Sequence, residues 1–163
     1  MKKTVTVLMS ILFVANIQAA IFMSPEWAEE FCDAWNENDQ LMTDLGGSFI
    51  ENDGGRGYKM MVMYRRDCRM PKVQITLEQE DGLAICVDSG LVVESTNFAY
   101  DYLMSAKTKN WRKMGSGSLG PTAAMMTGKL RFSGPKKEAM RFIGPFKGFL
   151  RLTGAVETDY SCQ

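Results

Sequence analysis

The sequence contains no histidine. That removes the usual general base near neutral pH, every Ser–His–Asp or Cys–His arrangement, and the commonest transition-metal ligand. The four cysteines, Cys32, Cys68, Cys86 and Cys162, form no C-x-x-C pair and lack zinc spacing. Calcium-loop spacing is missing too: Glu78, Glu80 and Asp81 cluster at a hairpin signal and read as a solvated turn. "GSGSLG" (115–120) formally matches G-x-G-x-x-G, but it follows a helical stretch, Pro121 closes it, and no acid lies about 20 positions on. With no assembled nucleophile and base, the chain is not expected to be an enzyme. No cofactor and no metal are expected.

What is present is the composition of one globular domain. The chain has 163 residues, 45% hydrophobic and 23% charged, enough for a single sizeable core. Its start is different: "MKK", then the apolar "TVTVLMSILFVA", then the small residues of "NIQAA". This is the layout of a secretory signal peptide over residues 1–20, cut near Ala19 or Ala20. A periplasmic or secreted protein is therefore expected; translation from Met23 would instead leave a cytoplasmic one. An even cysteine count fits an oxidising compartment, and both two disulfides and buried cysteines with at most one disulfide stay open.

Zero net charge hides an uneven distribution. Residues 21–55 carry nine acids and no base, whereas residues 105–151 carry eleven bases and one acid, Glu138. The acidic front and the leader argue against nucleic acid as a partner.

Local patterns outline the organisation. Ser24-Pro25-Glu26 is a helix start, and Trp27, Phe31, Trp35, Leu41 and Leu45 recur at helical spacing until Gly46-Gly47. Residues 58–66, 72–79 and 83–88 read as an antiparallel meander with its second turn at Asp81-Gly82. Residues 97–105 read as a fourth strand with Phe98, Tyr100, Tyr102 and Met104 alternating. A basic helix over 106–114, a Met-rich turn and a short strand at "KLRFSG" follow. The last helix begins at Pro135, and a break is expected near Gly144-Pro145. The tail, 153–163, is expected to be loosely held. The sum is α+β: about five strands, mostly antiparallel, covered by helices.

Thirteen methionines and seventeen aromatics (three Trp, five Tyr, nine Phe) form the surplus. Deformable thioethers beside a broken helix and a glycine-rich loop suit an apolar pocket with a movable cover. "PTAAMMTGKLRFSGPKKEAMRF" resembles the C-terminal signature of the sterol carrier protein type 2 (SCP-2) family, "TNFAYDYLMSAKTKNW" its preceding strand and helix, and "SPEWAEEFCDAWNEND" the first helix of its bacterial single-domain members. The likeness spans 24–152. It implies a five-stranded mixed sheet and helices enclosing an apolar tunnel, and non-catalytic binding and transfer of a sterol, fatty acyl chain or other lipid. The residues it implies for the lining are Trp111, Met125, Met126, Leu130, Phe132, Met140, Ile143 and Phe146, with Phe149 and Leu150 in a mobile lid. The basic last helix, with Lys136, Lys137, Arg141, Lys147 and Arg151, offers peripheral contact with an anionic membrane. The alternative is an interaction or dimerisation module of the same fold with a filled core.

Overall fold

Residues 19–162 are described by the computed structural model; the expected leader falls almost wholly outside them. The described chain begins with a two-residue strand, β1 (Ala20–Ile21). Helix α1 (Pro25–Asn36) follows, its cap at Ser24, whose hydroxyl accepts the Trp27 N–H at 3.2 Å. Pro25 takes the first helical position, where a missing N–H is harmless. The expected single helix to Leu45 is in fact two. Asn38 accepts the Leu41 N–H at 3.0 Å and starts α2 (Asp39–Asp44). Asn competes with the helical backbone for hydrogen bonds, so it breaks one helix and caps the next. A single 3-10 turn, Gly47–Phe49, closes this region.

The meander forms as expected: β2 (Tyr58–Arg65), β3 (Val73–Glu80) and β4 (Leu83–Leu91) pair antiparallel. Asp81 and Gly82 both take positive φ, 49° and 83°, the requirement of a tight two-residue hairpin turn. The next strand is shorter than its alternation suggests. β5 (Tyr102–Ala106) runs parallel to β2, and residues 97–101 form a turn instead. Asp101 is the cause. Its buried carboxylate accepts the N–H groups of Asn97 (2.8 Å) and Met60 (3.0 Å) and both ends of the Arg56 guanidinium (3.0 and 2.7 Å). Phe98 is consequently half-exposed.

Helices α3 (Thr108–Gly115) and α4 (Pro121–Met126) lead to β6 (Leu130–Ser133), which pairs antiparallel with β5. The sheet order is β4-β3-β2-β5-β6, with one parallel and three antiparallel pairings. The last helix is divided into α5 (Lys136–Arg141) and α6 (Ile143–Leu152). The break comes at Phe142, ahead of the expected Gly144-Pro145. Pro145 thereby falls in the first turn of α6, where no intrahelical donor is lost.

The tail is not loose. β7 (Thr158–Asp159) pairs parallel with β1, and the Arg65 guanidinium donates to the carbonyls of Tyr160 (2.7 Å) and Ser161 (2.9 Å). Two disulfides add to this: Cys68–Cys162 fastens the tail to the β2–β3 loop, and Cys32–Cys86 fastens α1 to β4. Both settle the question the spacing leaves open.

One face of the sheet carries the main core. Rings run through it in sequence: Trp27 on Phe31 (4.9 Å between centroids), Phe31 on Phe149 (5.6 Å), Phe149 on Phe146 (5.4 Å) and Phe146 on Phe132 (5.9 Å). This ladder joins α1 to α6 and then to β6. Among the described residues no helix is long and apolar enough to cross a membrane.

Cross-linking positions 94 residues apart removes denatured-state entropy worth about 4–5 kcal/mol. Cys68→Ser/Cys162→Ser is expected to lower Tm by about 10 °C in calorimetry. Asp101→Asn, which cannot satisfy Arg56 and two backbone donors together, is expected to cost about 2–3 kcal/mol in urea unfolding.

Candidate binding site

Four elements meet at the β6 margin of the sheet. α4 ends in Met125 and Met126, a turn at Gly128 (φ 65°) reverses the chain, β6 follows, and α5 folds back beside it. β6 pairs only with β5, so its outer edge is unpaired among the described residues. Between these elements lies a groove of about 510 Å³. Met125, Met126, Leu130, Phe132, Ala139 and Met140 line it, with Thr122, Arg131 and Lys136 as its polar side chains and no acid among its lining. Met126 is 84% exposed and Met140 54%, a large apolar surface to leave in water.

Five of the ten residues implied for a lipid site therefore come together: Met125, Met126, Leu130, Phe132 and Met140. The other five do not line the groove. Trp111 is fully buried, its indole N–H donating to the Tyr64 carbonyl at 3.3 Å. Phe146, Phe149 and Leu150 are core: Phe149 packs on the rings of α1, and Phe146 on Tyr102 and Phe132 of the sheet. Phe149 and Leu150 are packed in the core of this structure and not at the mouth of the groove. Ile143 is half-buried at the start of α6, outside the groove. An enclosed tunnel is also not what these residues form; the space is an open groove, which water can enter.

Behind the groove sits a charged cluster. Lys59 has 0% exposure, yet it lies on the β2 face that also carries Met61 and Met63. Its ammonium donates to both carboxylate oxygens of Glu138 on α5, at 2.9 and 2.7 Å. The same carboxylate accepts the Tyr102 hydroxyl and, at 3.0 Å, the Asn52 amide. The ammonium lies 4.3 Å from the Phe49 ring centroid and 5.4 Å from that of Tyr102. Burial pushes the Lys59 ammonium below its usual range, against the opposing pull of Glu138. Burial, and then the Glu138 carboxylate, push the Tyr102 phenol well above its own.

Residue-type reasoning passed over Lys59, Tyr102 and Glu138 as a unit. Two signals could have found it. Glu138 is the one acid among eleven bases between 105 and 151, and Lys59 occupies a core-facing position in the apolar strand "YKMMVMYRR". Partition of α5 makes the cluster relevant to the groove. Lys136, Ala139 and Met140 face the groove, while Lys137, Glu138 and Arg141 border a separate cleft of about 260 Å³. The six-residue helix is the wall between them.

The groove can hold an apolar body with an end near a cation, and it offers no paired acid and base for bond making. Among the described residues no group of three acidic, cysteine or histidine side chains is placed to hold a metal ion.

Comparison with known proteins agrees with the architecture. A crystal structure of sterol carrier protein 2 superposes with a TM-score of 0.56 at 17% identity, covering 82% of this chain and 98% of its own. The solution structure of a conserved hypothetical protein from Thermus thermophilus, regarded as a possible sterol carrier protein, gives a TM-score of 0.58 at 16% identity, covering 90% of this chain and 97% of its own. Among curated proteins none matches. The model of the SCP-2 sterol transfer family matches residues 64–147, from the end of β2 into α6 and just over half of the chain. The chain belongs to the SCP-2 sterol transfer family.

Proposed function

We propose that the protein binds a lipid, or another elongated apolar molecule, in the groove between α4, β6 and α5, and carries or presents it without chemical change. The observation that carries this reading is the groove itself: about 510 Å³ lined by methionines, Leu130 and Phe132, with exposed thioethers at its mouth. Membership of a sterol transfer family supports it. Met side chains adapt to ligands of different outline, which suits a carrier. Burying eight to ten methylenes contributes about 6–8 kcal/mol before the cost of association, enough for useful affinity without many polar contacts. Missing histidine and an acid-free groove support a non-catalytic role.

Export to an oxidising compartment fits the leader-like start and the two disulfides. A chain begun at Met23 would lack β1 and Phe22, which packs against Trp27 at 4.9 Å and Tyr160 at 5.1 Å. Contact with an anionic membrane would be electrostatic, since the apolar stripe of α6 is spent in the core while Lys137, Lys147 and Arg151 remain exposed. A second reading, an interaction module, draws on the same exposed methionines and on the unpaired edge of β6.

Organic extraction of gently purified protein, with native mass spectrometry alongside, is expected to yield a stoichiometric lipid. An empty extract together with a concentration-dependent dimer favours the interaction module. Met140→Asp, at a half-exposed position, is expected to weaken binding of a fluorescent fatty-acid probe about tenfold while moving Tm by less than about 3 °C. Lys137→Glu/Lys147→Glu/Arg151→Glu is expected to weaken binding to phosphatidylglycerol vesicles on the order of a hundredfold or more at low salt, with no difference in about 0.5 M salt.

A further inference from the structure

The short helix α5 is held to the sheet in an unusual way. Ala139 is its one buried apolar side chain. The rest of its attachment runs through a single carboxylate, Glu138, which takes donors from three separate places: Lys59 on β2, Tyr102 on β5 and Asn52 in the loop after the 3-10 turn. The helical backbone is interrupted at both ends of α5. Gly134 precedes it at φ 138°, and Phe142 ends it one residue before α6 begins.

α5 covers the place where the groove meets the core: Glu138 accepts the Tyr102 hydroxyl, while Ala139 and Met140 line the groove. Phe132 lines the groove on one side and packs on Tyr102 (5.3 Å) and Phe146 (5.9 Å) on the other. Behind the groove wall therefore lies the ring ladder of the core. We infer that Glu138 is the latch of a gate. When its carboxylate leaves Lys59, Tyr102 and Asn52, α5 swings outward, and the apolar tail of a ligand passes from the groove toward Phe132, Tyr102 and Phe146. The ligand in this statement rests on the proposed binding function; the motion of α5 does not.

A buried ion pair suits a latch better than an apolar contact does. Its attraction is largely offset by the desolvation of both charges, and opening returns water to each. The released carboxylate also has somewhere to go, because Lys137 and Arg141 border the cleft on its own side of α5. Burial of the ligand tail then replaces the lost contact.

Amide hydrogen exchange on the ligand-free protein, and the dissociation rate of cis-parinaric acid from the loaded protein, test this together. Glu138→Gln is expected to speed exchange of amides 136–141 at least tenfold more than that of α1 and α3, and to speed probe release at least tenfold. Tyr102→Phe, which keeps the ring and loses one hydrogen bond, is expected to fall between the wild type and Glu138→Gln. Lys59→Met/Glu138→Gln leaves no unpaired buried charge, stays folded, and is expected to match Glu138→Gln. Unchanged exchange of 136–141 in these folded variants overturns the latch, and so does exchange raised equally across all helices. If the wild type fails to bind the probe, the binding function falls, while the exchange data still decide the latch.

Discussion

A lysine with no exposed surface, set in an apolar strand, constrains much of this molecule. Lys59 needs an anion, and Glu138 supplies it from 79 residues away in the chain. That requirement brings α5 down onto the sheet beside β5. The final helical stretch is interrupted at Phe142, so that α5 presents Glu138 to Lys59 while α6 presents Phe149 to α1 and Phe146 to Tyr102 and Phe132. Removing either partner of a buried pair strands the other, typically at about 3–5 kcal/mol, whereas the intact pair is close to neutral. Its contribution is therefore position more than stability, and the position it sets is the wall of the groove.

The aromatic surplus has a separate use. Rings from α1, α6 and β6 stack into one ladder that crosses the core, with Trp111 and Phe22 packed at its side. Methionines divide between two environments. Met61, Met63 and Met104 fill the sheet side of the core, and Met125, Met126 and Met140 edge the groove in partial or full contact with water. The same side chain thus packs irregular space inside and offers a deformable apolar surface outside. An open groove avoids the cost of an empty dry cavity, because water fills it until something apolar displaces it.

At the other end of β2 from Lys59, the two ends of the described chain are fastened. β1 and β7, the Arg65 guanidinium and the Cys68–Cys162 disulfide all converge there. Arg65 and Lys59 lie on the same face of β2, one near each end. The first satisfies itself on backbone carbonyls of the tail and the second on a side chain of α5. A carbonyl set held by a disulfide cannot readily leave, while one glutamate on a six-residue helix can. The two ends of one strand are in this way anchored with different firmness.

Local patterns determined a good deal. The Ser24-Pro25 start, the meander with its Asp81-Gly82 turn, the Met-rich turn into β6 and the α+β class were all legible, because each depends on neighbours within a few residues. Five of the residues that the family resemblance implied, in one run from 125 to 140, line the groove. Tertiary contacts decided the rest. Asp101 shortened β5 by capturing Arg56 and two backbone donors, the tail was ordered by Arg65 and a disulfide, and Phe149 turned inward to meet α1 while Leu150 was buried beside it. An apolar stripe shows that a helix has a buried face, not what buries it, and a charge in a strand shows no partner. Both are settled only when distant segments meet, because the free energies that choose among partners, desolvation and ring packing, exist only after burial.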